Sequence, residues 1–294
     1  MHRVSNYQVT IIPHKDRLDF SAISKEFKIK DDIIVGSYYK FTVNEALSDE
    51  TIRSLEKTYA CDIFQIPSDI LEMCRDPSIP KVAVFDLDST LIQMEVIDTL
   101  AASKPEIADQ VAKITEESMA GRIDFKESLS RRVALLQGVD IENQWKHIKE
   151  TVKFTPGAVE LFKNFFKKEN GWVTAVISGG FLPIAEWVRD HLNLSFAYAN
   201  ALEVDLTTGL LTGNLLPNHP VIDSQAKERH LLDLIDRNGA KVSVAVGDGA
   251  NDLLMLGKAT LGVAFNAKSI VQEKAKYRLN SENIYLIRDI LNLQ

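Results

Sequence analysis

Asp86, Asp88 and Thr90 follow directly on Val82-Ala83-Val84-Phe85, a run without a polar side chain. Such a run suits a strand buried on both faces of a parallel sheet, which can present polar groups only where it ends. The three groups therefore fall at the carboxyl edge of a sheet, where open α/β folds take their ligands. A lone Asp-x-Asp more often solvates a turn or caps a helix. Here Leu91 and Ile92 resume the apolar pattern, so hydrophobic residues flank the acids on both sides. Two more strand ends carry polar groups of a complementary kind. Trp172 to Ile177 reads as a buried strand ending in Ser178-Gly179-Gly180, whose glycines admit backbone N–H groups close to an anion. Val242 to Val246 reads as another, ending in Gly247-Asp248-Gly249-Ala250-Asn251-Asp252. Between these two, Lys227 stands near the start of a helix that buries Leu231, Leu234 and Ile235.

This inventory suits phosphoryl transfer better than acyl or hydride transfer. The chain has no Gly-x-Ser-x-Gly elbow, no histidines at metal-ligand spacing and no Walker-type loop. Adjacent acids and a dianionic phosphate repel one another, so a cation is needed. Mg²⁺ is the fitting choice, because it takes oxygen ligands and keeps waters and a phosphate oxygen in its shell.

Val84-Phe85-Asp86-Leu87-Asp88-Ser89-Thr90-Leu91 resembles the first signature of the haloacid dehalogenase superfamily, mostly phosphohydrolases that work through an aspartyl-phosphate. The resemblance runs in order from about Lys81 to the C-terminus and narrows to the phosphoserine phosphatases. It takes in Asp86 to Glu95, Met119 to Phe125, Arg131-Arg132-Val133, Ser178 to Phe181, Lys227, and Gly247 to Asp252. It implies a Rossmann-like parallel sheet with an inserted helical cap, and one Mg²⁺ held by the carboxylates of Asp86 and Asp248 and the backbone carbonyl of Asp88. Asp86 would be the nucleophile, needing no activating base since a free Asp has a pKa of about 3.9. Asp88 would be general acid and then base, its pKa raised by Asp86. Ser178, Gly179 and Lys227 would hold the phosphoryl oxygens, with Asn251, Thr90 and Asp252 in support, Asp252 by positioning Lys227. Glu95 would meet the substrate ammonium and Arg132 its carboxylate, while Met119 and Phe125 cover it. Hydrolysis of O-phospho-L-serine, the last step of serine biosynthesis, is the implied reaction. Another small ester, such as phosphothreonine, homoserine phosphate or a sugar phosphate, stands as an alternative, as does a regulatory amino-acid-binding protein.

The elements that must position these groups read as an α/β chain preceded by a small α+β unit. Tyr7 to Ile11, Ile33 to Val43 and Asp62 to Ile66 read as strands, with helices burying Phe20, Ile23 and Phe27, and Ile52, Leu55 and Tyr59. Arg75 to Pro80 reads as a linker, dividing a domain 1–79, faintly ferredoxin-like or ACT-like, from a domain 80–294. From about 96 to 152 the pattern is helical: Ile107, Val111 and Ile114 mark one face ended by Gly121, and Asp124 with Glu127 opens a helix burying Leu129, Val133 and Leu136. Phe125 and Arg132, seven residues apart on that helix, project from nearly one face. Thr155-Pro156 reads as the start of a helix stopped by Gly171, residues 202–212 as a hairpin, Leu261 to Phe265 as the last core strand, and Ile284 to Ile287 as a further strand.

The 294 residues include 45% hydrophobic and 26% charged side chains, enough for a sizeable core. A net charge of -7 argues against nucleic acid and anionic membranes as partners. A small-molecule substrate, with a homodimer left open, is the expectation. Cys61 and Cys74 are too few for a disulfide framework, and the chain lacks a membrane-length apolar run, which points to a cytoplasmic enzyme.

Overall fold

The computed structural model describes residues 6–14, 18–27, 29, 32–35, 38–119 and 122–293. Lys81–Phe85 is buried along its whole length, as the apolar run Val82 to Phe85 requires, and the buried Lys81 at its start is satisfied by donating to Ile79 O at 2.9 Å. It lies inside a six-stranded sheet whose order, edge to edge, is Tyr277–Leu279, Leu261–Phe265, Val242–Gly247, Lys81–Phe85, Trp172–Phe181 and Phe196–Asn200. Every neighbouring pair is parallel. From Lys81–Phe85 the chain builds outward through two strands on one side, then returns to build outward on the other. Strand order thus reverses between Lys81–Phe85 and Val242–Gly247, the crevice where doubly wound sheets bind ligands. Phe85 is paired with Val246 there, which sets Asp86 and Asp248 side by side.

Helices cover both faces. On one, Phe85 packs edge-on against Phe162 and Phe166, with ring centroids 4.9 and 5.6 Å away. On the other, Val82 and Val84 meet Leu231 and Leu234 of the helix Ser224–Asn238. Between Lys81–Phe85 and Trp172–Phe181 the chain inserts helices Val96–Ala102, Pro105–Met119, Phe125–Leu135 and Ile141–Thr151.

A four-stranded antiparallel sheet precedes this core, in the order Asp32–Val35, Tyr38–Val43, Tyr7–Pro13, Cys61–Pro67. Helix Asp49–Tyr59, capped by the Ser48 hydroxyl on Thr51 N, packs Ile52 and Leu55 into it. Its strand Cys61–Pro67 lies against the core strand Tyr277–Leu279. Phe64 stacks on Tyr277, whose hydroxyl donates to Gln65 O at 2.8 Å. The buried Asp62 carboxylate accepts from Asn280 N at 2.6 Å and Nδ2 at 2.8 Å. Glu56 and Arg278 form a buried ion pair across the same junction, and Glu56 also accepts from Ile63 N at 3.0 Å.

Several expected elements come out differently. Ile33 to Val43 is two strands pairing antiparallel, Asp32–Val35 and Tyr38–Val43, with residues 36–37 outside the described set. The expected linker, Arg75 to Pro80, is irregular after its first residue, and a helix that the pattern did not show, Ser68–Arg75, precedes it with Leu71 and Cys74 buried. Thr155-Pro156 precedes the helix Ala158–Asn164 rather than opening it, because Gly157, at φ 82°, turns the chain first. Gly171 follows a separate 3₁₀ turn, Lys168–Asn170. Ile284 to Ile287 leads into helix Leu286–Ile290, and the last core strand is the three-residue Tyr277–Leu279, too short for periodicity to reveal. The expected stop at Gly121 lies outside the described residues.

Glu56→Ala should destabilise the protein by about 3–5 kcal/mol in denaturant unfolding, because it strands the buried Arg278 guanidinium. His14 Nε2 lies 2.8 Å from Asp62 Oδ1, and that hydrogen bond raises its pKa above the usual histidine value. A raised folded-state value favours the protonated ring, so its stabilisation is complete below the unfolded-chain value of about 6.5 and fades as pH climbs through the folded one. The half-exposed ring limits the effect to below about 1 kcal/mol. Thermal midpoints taken near pH 5.5 and pH 8.5 should therefore differ less in His14→Gln than in wild type, after comparison at matched salt.

Candidate active site

Lys227 sits in the first turn of helix Ser224–Asn238 and is fully buried. An ammonium enclosed this way must be paired. Its Nζ donates to Asp86 Oδ1 at 2.5 Å and to Asp252 Oδ1 at 2.6 Å. Burial would pull its pKa down, but the Asp252 and Asp86 carboxylates outweigh this and hold it charged, above the ordinary lysine value. The other Asp252 oxygen accepts from Gly249 N at 2.9 Å. Asp252 is thus occupied on both oxygens, and a Cβ on Gly247 would stand 2.5 Å from its carboxylate.

Asp248 closes the group. Its Oδ1 lies 3.4 Å from the Thr90 hydroxyl and its Oδ2 3.6 Å from Lys268 Nζ. Burial, then the charges of Asp86 and Asp252, push its carboxyl up to about 8. Burial and Asp86 likewise raise Asp252 to about 6, against the pull of Lys227. Carboxylate oxygens of Asp86, Asp248 and Asp252 all lie within 4.8 Å of one another. Such crowding of acids calls for a cation, and an all-oxygen donor set suits a hard divalent one. With Asp252 engaged by Lys227 and Gly249, Asp86 and Asp248 are the carboxylates able to hold it.

Asp88 stands at the cavity wall, its Oδ1 buried without a hydrogen-bond partner among the described residues. Its pKa is raised well above the usual aspartate value by burial first, then by Glu95 and Asp86. Sequence reasoning expected the rise from Asp86; burial and Glu95 contribute more. Ser178, Gly179 and Gly180 extend the strand Trp172–Phe181 rather than following it, through an irregular register after Ile177. A Cβ on Gly180 would lie 2.7 Å from Asp88 Oδ2, so only glycine lets the two strand ends approach this closely. The Ser178 hydroxyl accepts from Gly180 N at 2.8 Å, and the buried Asn200 donates to Gly179 O at 2.8 Å.

Asp86, Asp88, Asp248 and Ser178 to Gly180 form the floor of a cavity of about 560 Å³, with Asn251 and Gly249 at its side, while Lys227, Asp252 and Thr90 are buried beneath that floor. The opposite wall is helix Phe125–Leu135, capped by the Asp124 carboxylate on Glu127 N at 2.8 Å. Phe125 and Arg132 both line the cavity, as their seven-residue spacing predicts. The Phe125 ring rests on Gly179, where a Cβ would come within 2.9 Å of it. Lys126 bridges this helix to Asp223, the cap of the Lys227 helix, at 3.0 Å. Burial lowers the Arg132 pKa against the opposing charges of Asp98, Glu95 and Asp88. Glu95, also on the cavity, accepts from the Ser89 hydroxyl at 2.8 Å, and Ser89 takes a left-handed φ of 57° to do so. Met119 ends helix Pro105–Met119, and its side chain lies outside the described residues.

Sequence reasoning missed Lys268, whose Nζ lies 3.6 Å from Asp248 and 3.9 Å from Glu95. It follows the end of the core strand Leu261–Phe265, so the strand-end rule that found the aspartates would also have found it. Asn200 ends the edge strand Phe196–Asn200 and so falls under the same rule, whereas Ser89 carries no comparable signal, since it acts through a local turn.

Residues 83–257, more than half of the chain, match the model of the haloacid dehalogenase-like hydrolase family. The chain is 45% identical over 213 residues to the phosphoserine phosphatase of Saccharomyces cerevisiae, a match covering 72% of this chain and 67% of that one. It is 40% identical over 215 residues to the phosphoserine phosphatase of Archaeoglobus fulgidus, covering 72% of this chain and 60% of that one. Its fold superposes on a HAD family hydrolase from Salmonella enterica serovar Typhi with a TM-score of 0.80, at 26% identity, over 97% of this chain and 98% of the other. The catalytic-type strand ends, the order of the parallel sheet and these matches agree: the chain belongs to the haloacid dehalogenase-like hydrolase family.

Proposed function

We propose that the chain is a phosphoserine phosphatase, hydrolysing O-phospho-L-serine to L-serine and phosphate through an aspartyl-phosphate on Asp86. The observation that carries this reading is the pairing, in one cavity, of a phosphate-type floor with a wall bearing Glu95 and Arg132. The substrate has a phosphate at one end and an ammonium and a carboxylate at the other. A guanidinium fork matches the carboxylate with two hydrogen bonds, and Glu95 complements the ammonium. The names of the relatives from Saccharomyces cerevisiae and Archaeoglobus fulgidus lend support, over the stretch they share with this chain.

In the first step an oxygen of Asp86 attacks phosphorus while the bond to the serine oxygen breaks. Asp88, kept protonated by its raised pKa, gives its proton to that leaving oxygen. In the second step Asp88 takes a proton from water, whose oxygen attacks phosphorus and frees the Asp86 carboxylate. Lys227, held charged against Asp86, and Ser178 with the backbone N–H groups beside it receive the phosphoryl oxygens. Thr90 and Asp252 support Asp248 and Lys227, and Asn251 and Gly179 border the phosphate. A bound Mg²⁺, held by Asp86, Asp248 and the Asp88 carbonyl, would neutralise the acids and polarise the phosphoryl group. Phe125, with Met119, would cover the substrate from the inserted helices, residues 96–152 acting as a cap. Residues 1–79 would form a separate unit fastened to the edge of the core. No described helix is long and apolar enough to cross a membrane, and the two buried free thiols suit the cytoplasmic setting we propose.

The deciding experiment is a phosphate-release panel. Release from L-phosphoserine should require Mg²⁺, vanish with EDTA, and exceed release from glycerol phosphate, which engages neither Glu95 nor Arg132. Equal turnover of the two esters would refute the substrate assignment. Asp86→Asn should lower turnover by about 10³-fold or more, whereas Asp88→Asn should lower it by about 10²–10⁴-fold and let phosphoenzyme accumulate, seen by intact mass.

A further inference from the structure

Ser128 lies on the cavity-facing side of helix Phe125–Leu135, three residues after Phe125 and four before Arg132. Its residue is 0% exposed and lines the cavity, and its hydroxyl has no hydrogen-bond partner among the described residues. A helical serine ordinarily satisfies its hydroxyl on the carbonyl one turn back. Here Asp124 O receives the Ser128 backbone N–H at 2.9 Å, and the hydroxyl is left over. A buried donor without an acceptor destabilises the fold, which is tolerated where a ligand completes it.

The position of Arg132 says which ligand group that would be. Residues four apart share a helix face, and long side chains lean back toward the N-terminus. Arg132 does so: its Nε donates to Ser128 O at 3.3 Å, drawing the guanidinium over the turn that holds Ser128. That carbonyl is its one hydrogen-bond partner among the described residues, which leaves the outer guanidinium nitrogens free for a ligand. An anion gripped by them therefore comes to rest beside the Ser128 hydroxyl. Asp98, Glu95 and Asp88 line the same cavity, act on Arg132 as opposing charges, and disfavour a second anion beside them.

We propose that Ser128 Oγ is a substrate contact, donating to the carboxylate that Arg132 holds. The α-carboxylate site then has three donors on one helix face, two from the guanidinium and one from the hydroxyl. The assignment deepens the phosphoserine reading and rests on it. It makes Ser128 a specificity residue, selecting amino-acid phosphates from amine phosphates that lack a carboxylate.

The test compares Ser128→Ala with wild type on L-phosphoserine and on phosphoethanolamine, which keeps the phosphate and ammonium and lacks the carboxylate. Phosphoethanolamine is read as a substrate or, where turnover is too slow, as a competitive inhibitor. The KM for phosphoserine should rise, and the preference for phosphoserine over phosphoethanolamine should fall about tenfold, as loss of one hydrogen bond to a charged group implies. The thermal midpoint should not drop, because the hydroxyl has no partner in the free protein to lose. An unchanged preference overturns the assignment, and so does an equal loss on both compounds with a lowered midpoint, which would mark a structural hydroxyl. Wild-type protein that releases no phosphate from phosphoserine fails the parent reading, and Ser128 with it, whereas an active wild type with an unchanged preference in the variant fails Ser128 alone.

Discussion

A buried ammonium between two carboxylates is the interaction on which the rest of this structure depends. Lys227 has no access to water, so it stays charged only because Asp86 and Asp252 lie within 2.6 Å of it. That requirement ties together three pieces of chain far apart in sequence. Helix Ser224–Asn238 must bring its first turn over the sheet, and the strands Lys81–Phe85 and Val242–Gly247 must end at the same level. The parallel pairing of Phe85 with Val246 supplies that level. Asp86 is thereby fixed in orientation, with Oδ1 on the lysine and the residue itself on the cavity lining.

The surplus of acid around this centre sets its chemistry. Asp86, Asp88, Asp248 and Glu95 all border one cavity, and the cations facing them are Lys227, Lys268 and Arg132. Burial and mutual repulsion leave Asp248 at about 8 and Asp88 well above its usual range. A site in this condition attracts a hard cation on one side and keeps one carboxyl protonated on the other. These are the two properties that phosphoryl transfer through a carboxylate needs from its surroundings.

The inserted helices and the N-terminal sheet are each fastened to an element that carries a cavity residue. Helix Phe125–Leu135 lays Phe125 on Gly179 and ties itself to the core through Lys126 and Asp223. Arg53 of the N-terminal sheet's helix donates to Ala275 O at 2.9 Å and Gln272 O at 3.4 Å. Those carbonyls belong to the end of the short helix Ser269–Lys274, whose other end is preceded by Lys268 at the cavity. The fastening of the N-terminal sheet and the cationic rim of the cavity thus share one small element.

The parallel core and most of the acidic site around it were legible in the order of residues alone. Buried strands show as apolar runs, and their polar residues can stand only at their ends, so Asp86, Asp88, Ser178, Asp248 and Asp252 were legible in one dimension. The spacing of Phe125 and Arg132 placed both on one helix face for the same kind of reason. The closed fold added whatever depends on residues distant in the chain. It set the glycines against Asp88 and Phe125, gave Asn200 its grip on Gly179, and made burial and Glu95 outweigh Asp86 in raising Asp88. It also split the 33–43 stretch into two strands and made Tyr277–Leu279 the sheet's edge. Such outcomes follow from desolvation and close approach, which exist only once the chain has closed on itself, and no local pattern of residue types records them.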